Sequence, residues 1–488
     1  MKSSRALAPL MIHNVSYASQ TSGIMKQILS AIALIFAFFL FGVMTAGNYQ
    51  LSILLVAVLL LAALSAVYPV EINIAILSVW GLFQGLLTNI SFAGFPFSQL
   101  IIPAIVFPLA IGLIVRTKTI LESKCSQIVL IYVLWTVWNV AGIATTIYVN
   151  EAVLFYFRFV IGAALFAFFA LGTNNLQETN RIAKALVFCG TLSAIITVAQ
   201  FVSFQMFGLK SIGIVELVRH FYGDAYRPVG TFDGPVGSAN VLFAMYLVSS
   251  YKYLQTRNRI YLAAGMFMIA GMLVTLTRTV ALALILSVVF QAVHASVLNK
   301  RWGPIIKISA LIMIVAALLS QFAADIIAKR FVDILGSASI DSFGAGRVGI
   351  WIGIVKGFIQ EANVWNYFIG RGISIAKYFV FNYSAYNHGD GDYTHNDFLD
   401  IAISNGIISL FLLVLFIGKV FQLLSASART VKLSFFFPLV FYFSVIMALS
   451  NTNYSSGQRW FFLIVLALII NQLRFDSVGR SPEKLETN

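Results

Sequence analysis

His395 stands in the sequence YTHNDFLD, where a long polar loop meets an apolar segment that predicts a helix. Thr394 followed by Asp397 matches a helix capping box, which predicts that His395 lies in the first helical turn. Free N–H groups and the helix dipole favour an anion there and disfavour imidazolium, so the ring would stay neutral and able to accept a proton. The alternative is a histidine that only caps the helix or lies at the membrane interface.

A second segment, RVGIWIGIVKGFI, carries Arg347 and Trp351 four residues apart, on the same side of a predicted helix. Apolar residues recur at helical spacing, at Ile350, Trp351, Ile354, Val355 and Phe358, with Lys356 and Gln360 off that face. About thirteen residues are too few to span a bilayer. We therefore expect an interfacial helix. A guanidinium beside an indole suits a sugar phosphate; the alternative is an interfacial tryptophan beside a solvated arginine.

Two further arginines interrupt apolar runs and need an acceptor or a polar cavity. Arg278 lies in TLTRT, the only polar interruption of the stretch 259–297, which is too long for one span and must turn there. Arg158 lies about seven residues inside its predicted span, so roughly 10 Å below the membrane surface. Snorkelling to the headgroups is the alternative for Arg158.

The segment YRPVGTFDGPVGSAN adds Arg227 and Asn240 to these candidates. Its glycines and proline predict a turn-rich loop, with Asn240 at or just inside the next helix. Asp390 and Asp392 in HGDGDY match no calcium-binding spacing, so we expect a solvated turn and no metal site.

Composition indicates that these residues belong to an all-α polytopic membrane protein. The chain has 488 residues, of which 60% are hydrophobic and only 10% are charged. Apolar runs of about 17–25 residues, each long enough to cross a hydrocarbon core, recur along it and predict about fourteen spans. The predicted spans lie near 28–44, 51–68, 74–90, 98–115, 127–148, 152–172, 183–207, 238–256, 259–277, 279–297, 304–324, 398–418, 433–450 and 459–473.

Lysine and arginine are concentrated in every second loop, and this pattern predicts that both termini are cytoplasmic. This topology accounts for the net charge of +14 and argues against a nucleic-acid partner. We expect a cytoplasmic tail over 1–26, a single transmembrane domain over 27–474 and a second cytoplasmic tail over 475–488. Two long loops, near 208–237 and 325–397, would face outward, together with Arg278 and Arg459.

The order of these motifs resembles the O-antigen ligase and Wzy-type polymerase superfamily of bacterial envelope glycan assembly. The resemblance covers about residues 230–420. Its elements in this sequence are Gly230-Thr231-Phe232, Asn240, Thr277-Arg278, Arg347 with Trp351, Gly370-Arg371-Gly372, His395-Asn396-Asp397-Phe398-Leu399 and Gly406.

The resemblance implies a GT-C-like fold and a metal-independent, inverting glycosyltransferase in the bacterial inner membrane, with its active site facing the periplasm. The donor would be a glycan on undecaprenyl pyrophosphate, and no cofactor is implied. Arg278 and Arg347 would bind the pyrophosphate and His395 would activate the acceptor hydroxyl. Arg227 and Arg371 match the family's arginines more loosely.

Three functions follow from this resemblance and from the residues. A polymerase would join lipid-linked repeat units, with a flippase and a chain-length regulator as further partners, and the large number of spans favours it. A ligase would transfer the glycan to lipid A-core or to a protein. A lipid-linked oligosaccharide transporter would use the same arginines without chemistry, although the polar loops on one side favour a one-sided reaction over alternating access.

Overall fold

The structure is a computed structural model, and it describes fifteen segments of the chain. These are residues 49–87, 91–92, 95–121, 126–209, 211–212, 215–216, 218–220, 226–232, 234–277, 279–281, 283–285, 287, 347–383, 396–427 and 456–478. The predicted spans at 28–44, 304–324 and 433–450 lie outside them, as does most of 279–297.

The described residues are predominantly helical. In chain order the helices are α1 Tyr49–Val67, α2 Pro69–Leu87, α3 Phe97–Val115, α4 Thr117–Leu121, α5 Ser126–Ala141, α6 Val149–Leu171, α7 Leu176–Phe207, α8 Pro235–Thr256, α9 Arg259–Val274, α10 Arg347–Glu361, α11 Val364–Ile369, α12 Ile375–Tyr383, α13 Asp397–Ser427 and α14 Ser456–Val478. Short antiparallel pairs join β1 Ser91–Phe92 to β2 Phe95–Pro96, β3 Ser211–Ile212 to β4 Val215–Glu216, and β5 Val218–His220 to β6 Tyr226–Pro228.

Five of the described helices are long and apolar enough to cross a membrane, which fits an all-α membrane protein. They lie at Gln127–Thr145, Val149–Leu171, Leu176–Phe207, Asp397–Leu424 and Gln458–Phe475. Each coincides with a span that hydropathy predicts. The total of fourteen spans, the GT-C-like arrangement and the orientation of the termini stay predictions.

The chain forms two compact units, and the first consists of residues 1–77 and 90–117. In its described part α1 packs against α3. The hydroxyl of Ser65 donates to the carbonyl of Pro108 at 2.7 Å, and the side-chain amide of Asn73 donates to Ser65 Oγ at 3.1 Å. Polar side chains of these helices thus bond to each other or to backbone, as polar groups buried among apolar helices must.

The second unit, residues 78–89 and 118–488, is built around α14. This helix packs against α6, α7 and α8, and every residue from Arg459 to Gln472 is buried. In the apolar 18-residue stretch of each helix, 72% of the residues are buried in Gln458–Phe475 and 28% in Asp397–Leu424. A helix that is apolar on all sides belongs inside a bundle, whereas α13 packs on α5 and leaves Ile407, Phe411 and Val414 exposed.

Helices of this unit begin and end at residues whose types favour helix caps and turns. Asn175 caps α7 by accepting a hydrogen bond from the Glu178 amide at 2.9 Å, and Gly208 with φ of 65° ends it. Helix α9 ends at Val274, and Leu276 takes a φ of 54°. The turn predicted in TLTRT is therefore confirmed.

Helices α10, α11 and α12 form a compact group beside α13. One face of α10, formed by Ile350, Ile354 and Phe358, packs against Ala376 and Phe379 of α12 in a buried core. Helix α11 packs on α13, and α12 also contacts it. Packing on α13 thus fixes the group that follows Arg347 in the chain.

Candidate functional site

The structure describes five of the eight predicted site residues completely. His395 and Arg278 lie outside the described residues, as do Asp390 and Asp392. Arg347 begins α10, but its side chain is not among the described atoms. The described residues are Arg158, Arg227, Asn240, Trp351 and Arg371.

The start of α13 differs from the sequence prediction. The amide of Leu399 donates to Asn396 Oδ1 at 3.0 Å, and α13 begins at Asp397. Asn396 therefore caps the helix, so the capping box predicted on Thr394 is wrong, and so is the prediction that His395 belongs to the first helical turn. Asparagine caps a helix at least as well as threonine, and here its side-chain oxygen accepts from the Leu399 amide.

Two carboxylates lie buried in the first turn of α13. Asp397 is 0% exposed and Asp400 is 4% exposed. Acidic groups in this position interact favourably with the partial positive charge of the helix N-terminus. Two buried carboxyl groups therefore lie one and four residues after the cap, just downstream of His395 in the chain.

The first turn of α14 places an arginine in the same region. Arg459 is 5% exposed, and its guanidinium carbon lies 3.6 Å from the centre of the Phe159 ring. Asp397 lies near enough to attract its charge, and Arg158 lies near enough to repel it. A guanidinium over an aromatic face gains a cation–π attraction that strengthens when water is excluded.

Arg459 is the functional candidate that sequence reasoning missed. The charge distribution placed it outside, next to Trp460 at the start of an apolar span, and that was the available signal. Trp460 donates its indole N–H to the carbonyl of Arg158 at 3.1 Å. Arg158 itself is exposed on α6.

A broken turn in α13 meets the G-R-G segment. Gly406 has φ of 78° and ψ of 175°, which interrupts the helix. The amide of Arg371 donates to the carbonyl of Ile403 at 3.0 Å, and the amide of Gly372 donates to the carbonyl of Ser404 at 2.8 Å. These two amides satisfy carbonyls that the helix cannot, as a buried break requires.

Asn405, next to the break, connects it to α5 and α6. Its side-chain amide donates to the hydroxyl of Tyr156 at 2.8 Å and to the carbonyl of Asn139 at 3.1 Å. Its own carbonyl accepts from the indole of Trp138 at 3.1 Å. The half-helix from Asp397 to the break is thereby held on two sides.

The segment after G-R-G is fixed to the start of α6. Thr146 Oγ1 donates to the carbonyl of Ile373 at 3.1 Å, and Ser374 Oγ donates to Glu151 Oε2 at 2.8 Å. A Cβ at Gly372, whose φ is 83°, would collide with Thr146. Glycine is therefore required where this loop passes the α5–α6 connection.

Arg371 pairs with a carboxylate of the protein. Its Nη1 lies 2.8 Å from Glu361 Oε2, and its guanidinium carbon lies 5.3 Å from the centre of the Phe379 ring. The hydroxyls of Tyr383 and Tyr378 donate to Glu361 Oε1 at 2.7 and 3.1 Å. These contacts tie the loop to α10 and α12; a contact of Arg371 with substrate stays a prediction.

The hydrogen bonds to Glu361 change its acidity. Arg371 first, and then Tyr383, hold the pKa of the Glu361 carboxyl below its ordinary value. The same contact raises the pKa of Tyr383 and Tyr378, because their hydroxyls donate to a carboxylate. The carboxylate therefore stays ionised at any pH near neutrality.

The lowered pKa predicts a specific acid sensitivity. The stability from ionised Glu361 is fully present above the ordinary glutamate pKa and is lost as pH falls through the lowered pKa. We expect the thermal midpoint of the purified protein to fall over that window, and Glu361→Gln to lack this step. Tyr378→Phe, which leaves the Arg371 pair in place, should retain it; equal pH dependence of wild type and Glu361→Gln would contradict the assignment.

Arg227 belongs to a second group of motifs, which we define as Arg227, the Gly230-Thr231-Phe232 segment, Asn240 and the turn before Arg278. It is 5% exposed, its Nε donates to the carbonyl of Thr275 at 2.7 Å, and its Nη2 donates to Thr277 Oγ1 at 2.8 Å. Both partners belong to the turn that precedes Arg278 in the chain. Arg227 thus joins β6 to that turn.

The Gly230-Thr231-Phe232 motif is held against α7. Gln200 exchanges two hydrogen bonds with the backbone of Gly230, at 2.8 and 2.9 Å. The hydroxyls of Thr231 and Ser193 lie 2.7 Å apart. With φ of 67° and the Ser238 side chain against it, Gly230 has no room for a Cβ.

The start of α14 connects this second group of motifs to the start of α13. Asn240, which is 5% exposed, donates its side-chain amide to Gln458 Oε1 at 2.6 Å. The next residue is Arg459, which interacts with Asp397. Motif elements more than 150 residues apart in sequence are therefore joined through two consecutive residues of one helix.

Trp351 lies against the core shared by α10 and α12 and is only partly buried. This packing places an indole near the beginning of α10, four residues after Arg347. The predicted use of its ring as a sugar platform stays a prediction.

Comparison with known proteins adds no assignment. No protein-family model and no curated protein matches the chain. The proposed function therefore rests on the sequence motifs and on the contacts among those that the structure describes.

Proposed function

We propose that the protein is a GT-C-type glycosyltransferase of the bacterial inner membrane that polymerises lipid-linked glycan repeat units. The donor is a glycan on undecaprenyl pyrophosphate, and the acceptor is a sugar hydroxyl of another lipid-linked unit at the periplasmic face. The reaction is inverting and needs no metal.

One observation carries this proposal: contacts in the structure connect the described motif residues to the starts of α13 and α14 and to the break in α13. Asn240 bonds to Gln458, Arg459 interacts with Asp397, and the G-R-G segment bonds to the broken turn before Gly406. These contacts place Asn240, Asp397 and the G-R-G segment at the starts of α13 and α14 and at the break in α13. A site that binds an anionic donor and activates a hydroxyl requires residues from separate elements to be held in place together.

The chemistry assigned to the site is a single displacement. His395 accepts the proton of the acceptor hydroxyl, whose oxygen forms a bond to the anomeric carbon as the bond from that carbon to the pyrophosphate breaks. Arg278 and Arg347 stabilise the charge on the departing pyrophosphate. Arg227 supports this arrangement by holding the turn that leads to Arg278.

A deletion strain tests the function and separates it from its alternatives. The lipid-linked glycans are extracted from the native host lacking this protein and compared with those of the complemented strain. A polymerase deletion loses long chains and accumulates single units on the periplasmic face. Long chains retained on undecaprenyl pyrophosphate would indicate a ligase, units retained on the cytoplasmic face would indicate a transporter, and unchanged glycans would refute all three.

A further inference from the structure

Helix α10 exposes an apolar face that shares only Val355 with the one its periodicity suggests. Ile350, Ile354 and Phe358 are buried against α12. On another side of the helix, Ile352 is 63% exposed and Ile359 is 61% exposed. Most of the face expected to lie on the membrane therefore packs inside the protein, while Val355 of that face and its neighbours Ile352 and Ile359 are left uncovered by the described residues.

The exposed face continues onto α11. Val364 and Trp365 are each 72% exposed, and Phe368 is 46% exposed. The lipid-facing patch, as we name it, consists of Ile352, Val355, Ile359, Val364, Trp365 and Phe368.

The patch adjoins the exposed surface of a membrane-spanning helix. Helix α11 packs on α13, and the carbonyl of Phe368 lies so close to Gly406 that a Cβ there would collide with it. The next residue, Ile407, is 51% exposed, and Phe411 further along α13 is 63% exposed. Since Asp397–Leu424 has the length and hydropathy of a span, its exposed apolar residues face acyl chains.

The polar border of α10 matches the same environment. Lys356 and Gln360 are exposed beside Val355 and Ile359. A lysine beside an apolar stripe buries its stem in the acyl region and reaches the phosphates with its ammonium group. The exposed surface of α10 thus changes from apolar to basic and polar within one residue.

We propose that the lipid-facing patch is inserted among the acyl chains of one membrane leaflet, so that α10 and α11 are held at headgroup depth. The predicted topology makes this the outer leaflet. The proposal concerns how the segment is anchored, and it holds whichever reaction the protein performs. It assigns α11 and Trp365, in addition to α10, to the membrane surface.

Single cysteines on α10 and α11 test the insertion. In the full-length protein with Cys125→Ser and Cys189→Ala, single cysteines replace Ile359, Trp365 or, as the matched control, Gln360. Each is labelled with an environment-sensitive fluorophore in lipid nanodiscs. Quenching is then measured with phospholipids brominated on the acyl chains and with aqueous iodide.

We expect acyl-chain bromine to quench labels at 359 and 365 about twofold or more strongly than at 360, with iodide showing the reverse order. Equal iodide quenching at 359 and 360 would place the patch in water and overturn the proposal. Protection of 359 and 365 from both quenchers would overturn it too, because another protein or a second copy would then cover the patch. Unlabelled variants that elute as the wild type on size exclusion confirm that the fold is retained.

Discussion

Replacement of His395 by alanine is expected to stop polymer formation while the protein still folds and inserts. General base catalysis by a positioned side chain contributes roughly 10²–10⁴-fold in rate, so the variant should retain a residual rate no greater than about one per cent. Alanine removes the ring nitrogen that accepts the proton but leaves Asn396, which caps α13, in place. Stability should therefore change little.

The measurement is chain length in a strain that carries the variant, together with the lipid-linked units that accumulate. His220→Ala is the matched control, because His220 lies in β5 of the other predicted outer loop and has no assigned role in the reaction. The control should give wild-type chains. Normal polymer from His395→Ala at wild-type protein levels would show that His395 is not the base.

A pH profile adds a second readout to this experiment. The buried carboxylates Asp397 and Asp400 follow His395 closely in the chain, and negative charge nearby favours the protonated imidazole. Asp397→Asn is therefore expected to lower the pH at which activity begins to fall on the acid side. A loss of activity that is equal at all pH values would instead indicate damage to the start of α13.

Hydropathy predicted the described spans well because a membrane helix is specified locally. About twenty apolar residues suffice, whatever the helix packs against. The expected span 152–172 corresponds to Val149–Leu171, and 398–418 corresponds to the beginning of Asp397–Leu424. The differences lie at the ends, where caps and tertiary contacts decide which residue closes the helix.

The faces of α10 show why periodicity could not predict packing. Ile350, Ile354 and Phe358 form one apolar stripe and Ile352, Val355 and Ile359 form another. Both satisfy helical spacing, and only the presence of α12 determines which stripe is buried. Because α12 has only nine residues and is too short to be recognised as a span, the sequence did not indicate which of the two stripes it would cover.

The sequence indicated candidate site residues but not the contacts between them. Glycines at 370, 372 and 406 and the asparagine at 240 stood out in the sequence by type and order. The partner of Asn240 did not, because Gln458 lies more than two hundred residues away in the chain. Such contacts depend on which helices become neighbours, and one sequence does not contain that information.

The tight crossing at Gly406 leads to the second large effect: Gly406→Ala is expected to destabilise the protein by roughly 3–5 kcal/mol. With φ of 78° and ψ of 175°, Gly406 occupies backbone space that is open almost only to glycine. A Cβ would collide with the carbonyl of Phe368, which is backbone and cannot rotate away. Relief of this collision separates α11 from α13 and breaks the hydrogen bonds from Arg371 and Gly372 to the broken turn.

Gly418→Ala in the same helix provides the matched comparison. Among the described residues, no atom lies within 4 Å of where a Cβ at Gly418 would stand, so alanine fits there and should be neutral or stabilising by up to about 1 kcal/mol. Thermal unfolding of both variants in nanodiscs, followed by tryptophan fluorescence, measures the contrast. Because the break also orients the half-helix that begins at Asp397, Gly406→Ala should lose polymer formation at temperatures where it remains folded, whereas Gly418→Ala should retain it. Equal stability of the two variants would contradict the close contact between α11 and Gly406. The orientation of the half-helix would then depend on other contacts.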